Sequence, residues 1–157
     1  MLFSLVEIGV PLLVFFGVPK ILKVGREWWW LLLLASVIMF ISWSLPSPLI
    51  YGQQTQFSTH FVGGGLFTGL LWLYIKLVKH WHARWWIEAM SLFALVCTLG
   101  VTNELFELLL YVTGHMPEGI TDTSWDLLAN TLGAASLYVV YILTRLVLRR
   151  NAARRES

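Results

Sequence analysis

The stretch WWIEAMSLFALVCTLGVTNELFELLLYV, Trp85–Val112, decides the fold. Fifteen uncharged residues separate Glu88 from Glu104, and no Lys or Arg interrupts the run. A bilayer core about 30 Å thick takes roughly 20 apolar residues as a helix. Four further stretches have the same character: Leu2–Leu22, Trp28–Leu45, His60–Val78 and Trp125–Leu148. The chain has 157 residues, of which 57% are hydrophobic and 13% charged, far from soluble averages. A soluble fold with so little polar surface could not cover itself. The sequence therefore predicts an all-α, polytopic integral membrane protein, a single domain over residues 1–157 built as a bundle of five transmembrane helices.

The charges predict how that bundle sits. Lys20, Lys23 and Arg26 follow the first span, Lys76, Lys79 and Arg84 follow the third, and Arg145, Arg149, Arg150, Arg154 and Arg155 close the fifth. With five spans these three groups share one side, and the positive-inside rule makes that side cytoplasmic. The expected topology is N-out and C-in, a multi-pass protein of the plasma or inner membrane. Trp28–Trp30, Trp81, Trp85 and Trp86 suit an aromatic belt at the inner interface. The first span does not read as a secretory signal, because its first basic residue, Lys20, comes after the apolar run and not before it. Cys97 is the single cysteine, which excludes an intramolecular disulfide and a multi-cysteine metal cluster. The short basic tail Arg149–Ser157 reads as an anchor to anionic lipid heads. It is too small a patch to suggest nucleic acid as a partner.

Six of the nine acids fall toward the opposite, outer side. By the helix rise, Glu104 lies about 28 Å from Trp85 and Glu107 about 33 Å. Their i, i+3 spacing puts them on neighbouring positions of one face. Two ionised carboxylates there repel unless a cation, a proton or a hydrogen-bond donor lies between them. The outer loops offer no Lys or Arg for this. Asp122, Asp126 and Asn130 follow at four-residue steps at the start of the fifth span, His60 opens the third, and Glu7 lies in the outer half of the first. Ionisable groups within spans are costly and commonly face a cavity, a partner or a pathway.

Each of these residues has a structural explanation as well. Thr123 and Asp126 match the T-x-x-D of a capping box, and Asp122 suits the positive end of a helix dipole. Gly65-x-x-x-Gly69 is a packing seam before it is a ligand cradle. His60 could end a helix in water, and Glu104 and Glu107 could form a solvated rim. Glu88 and Arg145, toward the inner side, read as an interfacial charge and a snorkelling helix end.

The segment Glu104-Leu-Phe-Glu107, followed by Asp122-Thr-Ser-Trp-Asp126-Leu-Leu-Ala-Asn130-Thr-Leu-Gly133-Ala134, resembles the C-terminal half of VanZ-like membrane proteins. The D-T-x-W-D form is closer to the related YjdF-type branch. His60-Phe61-Val62-Gly63 is similar to the H-F-x-x-G element that opens an earlier helix in the same group. The resemblance spans about Phe57–Val139. Glu107 stands where many VanZ-like proteins carry Gln, and their outer-loop Arg has no counterpart here. The resemblance implies a small membrane protein of the cell envelope, in a family whose prototype is linked to glycopeptide-antibiotic tolerance.

Three functions fit these residues, beside a structural or assembly role in which the glycine-rich third span would be a docking seam. The cluster of Glu104, Asp122, Asn130 and Glu7 would bind an envelope ligand or a lipid headgroup, with Trp43, Tyr51, Phe57 and Trp125 along the approach. Alternatively, Glu104, Glu107, Asp126 and His60 would hold a divalent cation such as Mg²⁺, Mn²⁺ or Ca²⁺. His60, Glu107 and Asp126 would then act catalytically on a lipid-linked phosphate or another envelope precursor. The third is proton or cation transport through Glu7, Glu104 and Glu107. Membrane lipids are the expected partners throughout.

Overall fold

A computed structural model of the chain describes residues 8–25, 27–115 and 122–156. Five helices make up the architecture: α1 (Ile8–Leu22), α2 (Trp29–Ser42), α3 (Phe57–Val78), α4 (Trp85–Val112) and α5 (Thr123–Glu156). A two-residue-per-strand hairpin, β1 (Leu49–Ile50) and β2 (Gln53–Gln54), connects α2 to α3. By length and composition α3, α4 and α5 are each able to cross a membrane, while the described parts of α1 and α2 are shorter apolar helices.

Local chemistry explains the boundaries. The helix α2 ends at Ser42 because Pro46 and Pro48 follow; the residue before a proline is pushed out of the α region. It therefore stops short of the expected Leu45. The hairpin turn needs two left-handed residues, which Tyr51 (φ 52°) and Gly52 (φ 78°) supply. The start of α3 is three residues earlier than its sequence pattern suggested. There Ser58 N–H donates to Ser47 Oγ at 3.1 Å, and Thr59 Oγ1 donates to the Ser42 carbonyl at 3.2 Å. The bounds of α4 are the expected ones. The last helix runs past Leu148 through the basic tail, whose Arg, Ala and Glu residues are strong helix formers.

The central helix is α3. One side packs on α2 through Leu31, Leu32, Ala35, Phe67, Leu70, Leu71 and Tyr74. The other joins α4 and α5 through Trp72, Leu92, Val96 and Ala134. Its N-terminal half is wound as a π-helix over His60–Leu66. This half makes the most extensive contact in the bundle, with α5. The contact exists because Gly65 and Gly133 meet: a Cβ on Gly65 would stand 2.5 Å from the Asn130 carbonyl oxygen and 2.7 Å from Gly133 Cα. On the opposite side of the bundle, α4 and α5 turn Phe93, Leu105, Leu109, Val140, Leu143 and Val147 outward.

The bundle thus has two polar ends. Lys76 near the end of α3, Glu88 at the start of α4 and Arg145 late in α5 meet at one. His60, Glu104 and Asp126 meet at the other. Glu88 and Glu104 are about 24 Å apart along α4 by the helix rise.

The basic end corrects one reading of the sequence. Glu88 is fully buried and Lys76 nearly so, and Lys76 Nζ lies 2.5 Å from Glu88 Oε1. Lys76 also donates to the Trp81 carbonyl at 2.8 Å and stands over the rings of Trp72, Trp81 and Tyr141. Glu88 is therefore a buried carboxylate paired inside the bundle and not a lone charge. Arg145 Nη1 comes to 3.6 Å from Glu88 Oε2, so Arg145 turns toward the bundle as well as toward the surface. A carboxylate this deep must be paired with a cation to remain charged.

Candidate metal centre

Three helices each bring one side chain to the site. His60 is the first residue of the π-helical turn of α3; π-turns commonly reshape a helix at functional positions. Glu104 comes from the second half of α4, and Asp126 from the first turn of α5. All three are buried, Asp126 to 1% exposure. One ligand atom from each lies within 4.8 Å of the other two. His60 Nε2 and Asp126 Oδ2 are 3.6 Å apart, longer than a hydrogen bond. Two donors bound to one small cation at about 2.1 Å stand about 3–4 Å apart, so this spacing suits a shared ion.

Oxygen atoms accumulate around this triad without enough donors. Neither Glu104 carboxylate oxygen receives a hydrogen bond of acceptable geometry, although Asn103 and Thr123 lie beside it. Asp126 Oδ1 is likewise buried and without a hydrogen bond, and Asn130 Oδ1 is buried with only the imidazole of His60 beside it. Asn130 is one turn beyond Asp126 and lies against Gly64, where any Cβ would collide with its amide. Gly64 thus makes room for Asn130, as Gly65 makes room for the helix that carries it. Leaving several buried acceptors unsatisfied is costly, and one cation among them could satisfy several together. A donor set of one imidazole and two carboxylates is of the kind that can hold a divalent metal ion.

The expected site residues separate in space. Glu107 does not join the triad: it is half-buried, one turn nearer the end of α4, and accepts a hydrogen bond from Asn103 Nδ2 at 2.7 Å. Residues three apart differ by about 60° around a helix, enough to turn Glu104 inward and Glu107 to the rim. Asp122 precedes α5, and its main-chain carbonyl accepts the amides of Trp125 (2.7 Å) and Asp126 (3.1 Å). Its carboxylate lies within electrostatic reach of His60, Glu104, Glu107 and Asp126, so it adds negative charge beside the centre. Asp126 points into the bundle and so is not an N-terminal capping residue. Glu7 lies outside the described residues.

Of the aromatic residues expected along an approach, Tyr51 of the hairpin stands near Trp125, with ring centroids 6.3 Å apart, and Phe57 stacks on Phe61 at 6.4 Å. Sequence reasoning did not place Thr123 beside Glu104. The four-residue stripe of Asp122, Asp126 and Asn130 drew attention away from it, although its T-x-x-D spacing had marked the helix start. It also missed the cluster at the other end, where a lone acid among basic neighbours, Glu88, was the available signal.

No protein-family model matches the chain, and neither a curated protein nor a solved structure does. The functional reading therefore stands on the geometry of the site.

Proposed function

We propose that this chain is a small cell-envelope membrane protein, VanZ- or YjdF-like, that binds an anionic envelope ligand through a divalent cation. The observation that carries this reading is the buried triad of His60, Glu104 and Asp126, with carboxylate oxygens that lack donors. Asn130 would be a fourth, neutral ligand. Glu107 and Asp122 at the rim would draw cations toward the centre. A bound cation would supply the positive charge that the outer loops lack, and so let an acidic site hold a phosphate-bearing headgroup or lipid-linked precursor.

The membrane arrangement belongs to the same proposal. The bundle would span the plasma or inner membrane five times, N-out and C-in, with the metal centre in the outer leaflet. The opposite ends of the two polar clusters and the positive-inside rule support this orientation.

A second reading, metal-dependent hydrolysis or transfer at a lipid-linked phosphate, draws on one observation. His60 and Asp126 form a close, buried imidazole–carboxylate pair, the arrangement that orients a general base.

The test is binding of a short-chain polyprenyl phosphate to the purified protein in detergent, with and without Mn²⁺. Binding that requires the cation and is lost in Asp126→Asn supports the proposal. Equal binding in a chelator overturns it. Release of inorganic phosphate during the same incubation favours the catalytic reading.

A further inference from the structure

At the end of the bundle opposite the metal centre, a cavity of about 600 Å³ opens among α3, α5, the start of α2 and the α3–α4 connection. Basic and aromatic side chains line it: Lys76, Arg145, Arg149, Trp28, Trp81 and Tyr141. Two of its cations, Lys76 and Arg145, approach the buried carboxylate of Glu88. Leu77 and the exposed His80 and His82 complete the wall.

The cations have different tasks. Lys76 is buried and committed to Glu88 and to the Trp81 carbonyl, so it braces the floor. Arg145 Nη1 stays at 3.6 Å from Glu88 Oε2, beyond hydrogen-bond distance, and a guanidinium carries five N–H donors. Arg149 follows one helical turn later on the same face of α5 and is exposed. Two guanidiniums in one stripe form a fork suited to the oxygens of a phosphate. Trp28 and Trp81 give that fork an amphipathic rim of the kind found at the membrane–water boundary.

We infer that this cavity binds the phosphate of an anionic phospholipid headgroup, held by Arg145 and Arg149. The inference rests on the membrane-spanning reading of α3–α5, and not on the metal centre at the other end. Basic pockets between membrane helices on the cytoplasmic side are suited to such headgroups. The volume admits a phosphate together with a glycerol-sized group. Glu88 excludes a ligand that would push its negative charge to the floor, so the phosphate sits at the Arg145–Arg149 level.

The experiment uses the full chain in detergent. Retention of phosphatidylglycerol and of phosphatidylcholine is compared by native mass spectrometry, together with the melting temperature in each lipid. Selective retention and stabilisation by phosphatidylglycerol are expected. The Arg145→Gln/Arg149→Gln variant should weaken them by about tenfold or more, given the contribution of each basic residue near an anionic surface. Should the double variant fail to fold, Arg149→Gln alone, at an exposed position, must still weaken retention. A chelator should leave the effect intact, which separates this site from the metal centre. Equal retention of the two lipids, or unchanged retention in the variants, overturns the inference. Stabilisation by millimolar inorganic phosphate that equals that by phosphatidylglycerol assigns the cavity to a soluble anion and overturns the lipid assignment.

Discussion

Replacing Gly65 with alanine tests the seam that holds the metal centre together. A new Cβ would meet the Asn130 carbonyl oxygen at 2.5 Å, Gly133 Cα at 2.7 Å and the Ala134 nitrogen at 3.0 Å. Ordinary contact begins near 3.4 Å, so the first two approaches are about 0.9 and 0.7 Å too close. All three obstacles are backbone atoms of α5 and have no rotamer to change; the helices must separate. Overpacking of this kind costs about 1–3 kcal/mol, and the backbone obstacles put Gly65→Ala at the upper end. Removing a mid-helix glycine returns about 0.5–1 kcal/mol. A net loss of about 2 kcal/mol is expected. Gly100→Ala is the control, because its Cβ would meet the ends of Leu127 and Asn130 side chains at 3.2 and 3.3 Å, which can shift. That change should lie within about 1 kcal/mol of neutral. Unfolding in mixed detergent micelles measures both. A Gly65→Ala protein as stable as the wild type would refute the close α3–α5 crossing.

At the basic end, Lys76→Met or Glu88→Gln alone should each cost about 3–5 kcal/mol, since either leaves a buried group without its partner. The double variant Lys76→Met/Glu88→Leu should recover most of the loss seen in Lys76→Met alone, as comparison of the single and double variants in the same unfolding assay would show. Tyr138→Phe removes the hydrogen bond to the Trp85 carbonyl and should cost about 1 kcal/mol or less, read as a small drop in melting temperature. Saturating Mn²⁺ at about a hundredfold over its dissociation constant should stabilise the wild type by about 2.7 kcal/mol. Glu107→Gln should keep most of that cation effect and Glu104→Gln should lose it.

The helices were legible because their signal is additive over many residues. The bounds of α4 coincide with the sequence pattern, since Arg84 and the Thr113–Gly114 turn mark sharp changes in composition. The hairpin was not legible: its turn puts Tyr51 in a left-handed conformation, and no Asn-Gly or Asp-Gly announces it. His60, Glu104, Glu107, Asp126 and Asn130 could be grouped by shared depth and by the motif resemblance. Which of Glu104 and Glu107 faces inward could not, because i, i+3 spacing places both near one face and the neighbouring helix makes the choice. The burial of Glu88 was illegible for the same reason. It goes with Lys76 of another helix, and spacing within one helix carries no information about that approach.

The central claim is tested most directly by measuring bound divalent metal in the purified protein. Equilibrium dialysis against Mn²⁺ and Zn²⁺, followed by elemental analysis, would compare the wild type with His60→Ala, Glu104→Gln and Asp126→Asn. One equivalent of metal in the wild type, reduced in all three folded variants, is the result the triad predicts. A folded wild-type protein that binds neither metal, or variants that bind as well as the wild type, would contradict it.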